Sequence, residues 1–200
     1  MLQIMFSLPV WISSLLFAVV HSLFASEQCK RLFCRHNISL HRYRLCYSIS
    51  ALPLTCLWLF YIHQLPDTPL YRVEGWQNGL MIAAQLLGLW IALYSFKSFD
   101  TSLFLGLKNS HGEPEPFHEH GIYHYIRHPM YSGIMLALLA SPIHTVNSLN
   151  LTICISLYFI IGSRLEEGRM IKSHPEYLEY RQRVPAFLPW RALFRRHSGS

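Results

Sequence analysis

Residues 2–26 read LQIMFSLPVWISSLLFAVVHSLFAS and contain no lysine, arginine, aspartate or glutamate. Residues 45–66, LCYSISALPLTCLWLFYIHQLP, are equally free of these charged residues. Each stretch reaches the ~20 residues that a helix needs to cross a bilayer, and neither shows the continuous polar face of a soluble helix. The first stretch follows no positive charge and lacks an A-x-A cleavage site, so we interpret it as a retained helix rather than a signal peptide.

Composition extends this interpretation to the whole chain. Of its 200 residues, 52% are hydrophobic and 14% are charged, whereas about 25% are charged in soluble domains. The net charge of +6 needs no nucleic-acid partner, because basic residues beside membrane helices meet anionic lipid headgroups. The five cysteines form no C-x-x-C pair, which predicts free thiols rather than a disulfide framework or a zinc site.

Apolar windows along the chain predict an all-α, polytopic transmembrane bundle of about five spans, the last two forming a helical hairpin. The windows are residues 4–24, 45–63, 78–96, 131–145 and 149–165. We expect a single membrane domain over residues 1–200. Its predicted parts are three N-terminal spans in 1–96 with a basic loop at 25–44, a cytoplasmic segment at 97–129, the hairpin at 130–165 and a cytoplasmic tail at 166–200.

Lysine and arginine are distributed very unevenly along the chain. Loop 25–44, segment 97–129 and the stretch from Arg164 to the C-terminus carry 16 of the 17, and Arg72 is the other one. The positive-inside rule assigns the basic face to the cytoplasm. The N-terminus is therefore predicted outside and the C-terminus inside, in a multi-pass protein of the bacterial inner membrane whose chemistry lies on the cytoplasmic side.

The densest polar cluster is HEHGIYHYIRHPMYSG, residues 118–133, which leads directly into the fourth span. It combines a cation, imidazoles and phenols within a short distance along the chain. Pro129 and Gly133 allow the backbone to bend and a ligand to approach it closely. The alternative interpretation is a juxtamembrane anchor, in which Arg127 and the tyrosines lie at the lipid headgroups.

A second polar feature is RLEE, residues 164–167, at the predicted end of the fifth span. Adjacent carboxylates at a membrane boundary cost free energy unless they are paired or hydrated, so they are candidates for function. The alternative is a solvated helix end that Arg164 and Arg169 neutralise. The sequence alone leaves both interpretations open.

The predicted hairpin returns these two features to the same face of the membrane. Arg127 and His128 are therefore expected to be neighbours of Glu166 and Glu167. Cationic donors at one end and carboxylate acceptors at the other suit a zwitterionic ligand with hydroxyl groups. S-adenosylmethionine is such a ligand, since its sulfonium is also compatible with aromatic faces.

Two other classes of site find less support in the sequence. There is no G-x-G-x-x-G and no Walker A motif, so neither a Rossmann-type site nor a P-loop is predicted. His120, His124 and His128 recur at helical spacing, as in a membrane di-iron hydroxylase or desaturase. Such enzymes need further histidine clusters, and none follows, so no metal is expected.

A third element, PEYLEYRQRVP at residues 175–185, is typical of an amphipathic cytoplasmic helix. Together, in this order and spacing, the three elements resemble the membrane-embedded methyltransferase superfamily. It includes isoprenylcysteine carboxyl methyltransferases, phospholipid N-methyltransferases and nurim-like methanethiol S-methyltransferases. The matching positions are Gly121, Tyr123, Arg127-His128-Pro129, Tyr131, Gly133, Glu166-Glu167, Tyr177, Tyr180, Val184-Pro185 and Pro189.

The first half of the chain resembles the nurim-like branch more loosely. The similar features are His21-Ser22 at the end of the first span, and Phe99-Asp100 ahead of Phe104-Leu105-Gly106-Leu107. One departure from the superfamily pattern follows the glutamate pair, where His174 replaces a usual glycine. Met130 stands in a variable place.

The resemblance implies an S-adenosylmethionine-dependent methyltransferase that acts on a small thiol or a lipophilic acceptor. An isoprenylcysteine carboxyl methyltransferase, a phospholipid amine methyltransferase and a non-enzymatic membrane scaffold remain alternatives. Arg164 is implied to face the acceptor, and with His128 it is a catalytic candidate. The residues implied or predicted to bind the donor are Tyr123, Arg127, His128, Pro129, Met130, Tyr131, Gly133, Glu166 and Glu167.

Overall fold

The computed structural model describes residues 7–35, 39–98, 101–105, 107–108, 117 and 119–191. The helices are α1 (Leu8–Ala25), α2 (Glu27–Arg35), α3 (Leu40–Gln64), α4 (Trp76–Ser95), α5 (Thr101–Phe104), α6 (Pro129–Leu139), α7 (Val146–Ser173) and α8 (Tyr177–Arg183). Two 3-10 turns (Phe96–Ser98 and Gly121–His124) and two short strands, β1 (Pro69–Arg72) and β2 (Ile143–Thr145), complete these elements. Phe99-Asp100, Gly106, His118 and the end of the predicted tail lie outside the described residues.

Among these residues, four helices are long and apolar enough to cross a membrane: α1, α3, α4 and α7. The prediction of an all-α, multi-pass membrane fold is thereby confirmed. The predicted fourth span is the apolar helix α6, which has 11 residues and is shorter than the ~20 needed for a full crossing. Pro129 begins it, and the chain leaves helical geometry before Pro142.

Helix α7 differs from its predicted limits at both ends. Asn147 and Ser148, which lie between the predicted windows 131–145 and 149–165, belong to its first turn, and the helix continues to Ser173 rather than ending near Leu165. Residues after Leu165 include glutamate, arginine, methionine and lysine, which all favour helix. The Glu166-Glu167 pair therefore lies within a continuous helix.

The chain forms two compact units. The first contains α1 to α3, both strands and α7 as far as Ile155. Two hydrogen bonds from polar side chains join helices here: Trp11 Nε1 donates to Asn150 Oδ1 at 2.6 Å, and Tyr43 donates to the Phe24 carbonyl at 2.6 Å. Such hydrogen bonds join helices where hydrophobic driving force is weak.

The second unit contains α4, α6, α8 and α7 from Ser156 onward. Its helices α4 and α6 approach so closely that their backbones touch. A Cβ atom added to Gly88 would lie 2.5 Å from the Gly133 carbonyl oxygen and 2.7 Å from the Ala137 amide nitrogen. With Ala92, these residues form small-x-x-x-small pairs on both helices, which is how helices pack tightly in membranes. This packing fixes the position of the start of α6.

Candidate functional site

The chain enters α6 through a sharply bent segment. Gly121 has φ +64°, in the left-handed region that glycine adopts at low cost. His128 is the N-cap of α6, and Pro129 occupies its first turn, where a missing N–H leaves nothing unsatisfied. This local geometry presents the His128 side chain at the start of the helix.

Residues 184–187, called here the C-terminal segment, pack against the start of α6. The amides of Arg127 and His128 donate to the carbonyls of Pro185 and Ala186 at 3.0 and 2.9 Å. The Ser132 hydroxyl donates to the Phe187 carbonyl at 2.8 Å. Amides near a helix start lack partners within the helix, so the C-terminal segment satisfies these two.

A buried carboxylate joins these elements to α7. Glu167 is 4% exposed, and its Oε1 accepts Arg127 Nε at 2.8 Å and lies 3.0 Å from His128 Nε2. Arg127 Nη2 is also 2.8 Å from Oε1, and Arg181 Nε is 3.2 Å from Oε2. Pairing of this kind is what makes burial of a carboxylate tolerable.

The neighbouring Glu166 is in a different environment. Its side chain is 40% exposed, and its Oε1 accepts the Tyr131 hydroxyl at 2.6 Å. Its Oε2 lies 3.8 Å from His128 Nδ1. The Tyr131 ring is stacked on Phe159 at 4.5 Å and on the His128 ring at 5.6 Å. Glu166, His128 and Tyr131 meet here, and the partly exposed Glu166 is the member that a ligand can reach; the three residues are called here the Glu166 face.

Aromatic residues hold α8 beside this region. Tyr180 donates to the Tyr123 carbonyl at 2.6 Å, and Phe117 meets Tyr177 and Tyr180 edge to face at 5.3 and 5.0 Å. Burial raises the pKa of Tyr177 to about 12. Its phenol therefore stays protonated at physiological pH.

The structure brings most of the predicted site residues together. Arg127, His128, Tyr131, Glu166 and Glu167 are linked by the contacts above, as expected from the return of the chain. Pro129 is buried in the first turn of α6, and Tyr123 is buried with its phenol bonded to Ser95.

Three predicted residues stand apart from those contacts. Gly133 faces Gly88 of α4, so a helix backbone occupies the position where a ligand approach was predicted. Met130 is half-buried and Arg164 is exposed. Arg164 forms no ion pair with any residue in the described part of the chain.

Four residues of this region were not anticipated from the sequence: Ser132, Phe159, Arg181 and Phe187. Arg181, one of the basic residues of the predicted cytoplasmic tail, pairs with Glu167. Its place in the third element is the sequence signal that links it to the site, although an arginine whose side chain is 49% exposed does not require an acidic partner. The contacts of Phe187 with Ser132 and with His128 depend on tertiary geometry and leave no local signal.

The di-iron interpretation is not supported by the local structure. His120 precedes the 3-10 turn, His124 ends it and His128 caps α6, so the three histidines do not share one helix face. Within the described ranges, no group of three or more histidines, cysteines, aspartates or glutamates is arranged to hold a metal ion.

A separate groove of about 650 Å³ lies in the same unit and contains none of the residues of the Glu166 face. It is lined by residues of α4 and of the segment before Ile126, namely Trp90, Tyr94, Glu119, His120, Gly121, Ile122, His124 and Tyr125.

Comparison with known proteins gives consistent matches over most of the chain. A family model described as NnrU protein matches residues 10–174. A methanethiol S-methyltransferase of a Pseudomonas species is 32% identical over 185 residues, 88% of this chain and 70% of that protein. Methanethiol S-methyltransferase 1 of Bradyrhizobium diazoefficiens is 29% identical over 88% of this chain and 64% of its own length.

A methanethiol S-methyltransferase of Pseudomonas deceptionensis is 29% identical over 92% of this chain and 72% of that protein. The chain thus spans 64–72% of the length of these three relatives. No solved structure matches it.

Proposed function

The chain belongs to the NnrU protein family, and from that premise we propose that it is an integral membrane methyltransferase with S-adenosylmethionine as methyl donor. The observation that carries the proposal is the Glu166 face, where a partly exposed carboxylate, an imidazole and stacked aromatic rings meet. Relatives named as methanethiol S-methyltransferases support methyl transfer as the activity.

The residues of this face fit the chemistry of the donor. A sulfonium donor supplies an electrophilic methyl group and a good leaving group. Glu166 offers an oxygen to donor hydroxyl or ammonium groups, and the rings of Tyr131 and Phe159 provide surfaces that a cation tolerates. Tyr123, Pro129 and Met130 belong to the same proposed donor site through the resemblance, whereas Gly133 packs against Gly88 and is left out of it.

Methyl transfer from a sulfonium depends more on alignment and exclusion of water than on a strong base. Backbone hydrogen bonds join the start of α6 to the C-terminal segment, and this rigid surface can align the reactants. The His128 ring stacks on Tyr131 and also packs at a tilt against Phe187. It is therefore proposed to orient the reactants.

For the acceptor we propose a small thiol, because the matched relatives are named for methanethiol. A thiol reacts as its thiolate, which a nearby cation favours. Arg164 is exposed, and this availability supports a role for its guanidinium at the acceptor. Isoprenylated cysteine carboxylates and phospholipid amines are the competing acceptors.

Arg164→Ala is expected to lower the turnover of methanethiol by about tenfold or more while leaving donor affinity unchanged, because it removes a cation that favours the thiolate. The measurement is a comparison of kcat and of donor dissociation constant for the two proteins. Lys172→Ala, which removes an exposed charge from the same helix, is the control. Unchanged turnover in Arg164→Ala contradicts the role.

The activity itself is tested with purified protein in membranes and methyl-labelled S-adenosylmethionine. Methanethiol, an isoprenylated cysteine and a phospholipid amine are offered in parallel. The proposal predicts label in dimethyl sulfide and no comparable transfer to the lipids. Transfer to a lipid acceptor would reassign the substrate, and transfer to none would favour the membrane scaffold.

We propose further that the site faces the cytoplasm and that the protein resides in a bacterial inner membrane. The support is the concentration of lysine and arginine in loop 25–44, segment 97–129 and the tail. A single cysteine placed after Arg191 in a cysteine-free variant should resist membrane-impermeant reagents in intact cells. Labelling of that cysteine from outside would reverse the orientation.

A further inference from the structure

The two adjacent glutamates of α7 differ in what they have left to offer a ligand. Glu167 is 4% exposed, and both of its oxygens are occupied by Arg127, His128 and Arg181. Glu166 is 40% exposed at its side chain, and among the described residues it accepts a hydrogen bond only from Tyr131, at Oε1. Its Oε2 has the 3.8 Å separation from His128 Nδ1, which is longer than a hydrogen bond.

We propose that Glu167 is a positioning residue that fastens the C-terminal segment to the start of α6, whereas Glu166 is the carboxylate that contacts the donor. The role of Glu166 rests on the proposed function. The role of Glu167 concerns only contacts within the protein. The cluster of Arg127, Glu167 and Arg181 is called here the clasp.

Arg127 is the central part of the clasp. Its Nε and Nη2 are directed at Glu167 Oε1, both at 2.8 Å. Its Nη1 donates to the carbonyl of Arg181 at 2.8 Å and to the carbonyl of Val184. A guanidinium has five N–H groups in a fixed plane, so these contacts leave it little capacity for a ligand. Arg127 therefore ties α7 to the chain that follows α8.

The clasp and the donor are coupled through the backbone at the start of α6. The amides of Arg127 and His128 are bonded to the C-terminal segment, and His128 also belongs to the Glu166 face. If the clasp opens, His128 loses both its backbone partner and its contact with Glu167. A donor that requires His128 in this position then binds only the form of the protein in which the clasp is intact, called here the closed form. Opening of the clasp therefore weakens the apparent affinity for the donor.

Hydrogen exchange of the Arg127 and His128 amides measures the closed form directly, because the C-terminal segment protects them. Protein without ligand is compared with Glu167→Gln and Glu166→Gln. Glu167→Gln is expected to speed exchange at these two amides by about tenfold or more, because it removes a buried ionic partner. Glu166→Gln is expected to leave that exchange unchanged and to weaken donor binding by about tenfold or more.

A second pair of variants keeps the test decisive if Glu167→Gln does not fold. Arg181 and Arg183 lie on the same short helix, but Arg181 pairs with Glu167 and Arg183 with the exposed Glu119. Arg181→Met should speed exchange at Arg127 and His128 about threefold to fivefold and raise the donor KM similarly with unchanged kcat. Arg183→Met should change neither quantity.

The outcomes separate this inference from the proposed function. If exchange at Arg127 and His128 is unaffected by Glu167→Gln and by Arg181→Met, the clasp is wrong. If Glu166→Gln binds the donor normally while Glu167→Gln loses it without faster exchange, the two roles are reversed. If the wild-type protein binds no donor, the proposed function and the role of Glu166 fall, whereas the exchange results still decide the role of Glu167.

Discussion

His128→Ala is expected to lower the affinity for S-adenosylmethionine by about a hundredfold and to abolish measurable methyl transfer. The imidazole contacts Glu167 at 3.0 Å, is stacked on Tyr131 and packs at a tilt against Phe187. Alanine removes these contacts together and leaves the buried carboxylate with one partner fewer, which costs several times more than losing an exposed pair. Donor binding is measured by isothermal titration, and transfer is measured with labelled donor.

The matched control for this variant is His124→Ala. His124 is exposed and lies in the 3-10 turn ahead of the site, so donor binding and transfer should stay at the wild-type level. Both variants should insert into membranes and elute from a sizing column as the wild type does. Normal donor binding by a well-folded His128→Ala protein would remove His128 from the site.

Gly88→Ala is expected to destabilise the second unit by about 1–3 kcal/mol and, in membranes at physiological temperature, to remove activity as well. The added Cβ would lie 2.5 Å from the Gly133 carbonyl oxygen and 2.7 Å from the Ala137 amide nitrogen. These are backbone atoms that no side-chain rotation can move. Helices α4 and α6 must therefore separate, which displaces the start of α6 and His128 with it.

Gly79→Ala on the same helix is the control for the packing effect. A Cβ at Gly79 meets no atom within 4 Å, and alanine favours helix over glycine by about 1 kcal/mol. Thermal unfolding in detergent should therefore show a lower midpoint for Gly88→Ala and an equal or higher one for Gly79→Ala. Equal midpoints for the two variants would show that the close approach of α4 and α6 is not required.

Sequence predicts the parts of this fold that depend on local properties of each helix, and it predicts less well the parts that depend on contacts between distant residues. Windows without charge predict α1, α3 and α4 closely, because burial in lipid acts on each helix independently. The ends of α7 were placed wrongly, since apolar content marks the predicted span at Leu165 whereas helix propensity carries the helix to Ser173. The length of α6 is set by Pro129 at one end and by the bend before Pro142 at the other.

The part of the candidate site that depends only on the hairpin is predictable from the sequence. A hairpin predicts that His128 meets the glutamate pair, and they are in contact. The hairpin does not predict which glutamate is buried, because that depends on Arg181 arriving from α8. It also does not predict that the C-terminal segment bonds the first amides of α6, since no local pattern encodes that contact.

Gly133 was predicted to admit a ligand, but in the structure it allows two helices to pack closely. Beside the polar cluster, a glycine suggested access for a ligand, but its neighbour in the folded chain is Gly88. The spacing Gly133-x-x-x-Ala137 was a signal for helix packing, and Gly88-x-x-x-Ala92 repeats it on α4. Sequence alone gave no reason to pair these two motifs rather than assign them separately.

The most direct test of the central claim is an equilibrium titration of the purified protein in lipid nanodiscs with S-adenosylmethionine. The claim is that this donor binds at the Glu166 face. The wild-type protein should show saturable binding at one site per chain, and Glu166→Gln should bind about tenfold more weakly or worse. Absence of saturable binding to folded wild-type protein, or equal binding by the two proteins, would contradict the claim.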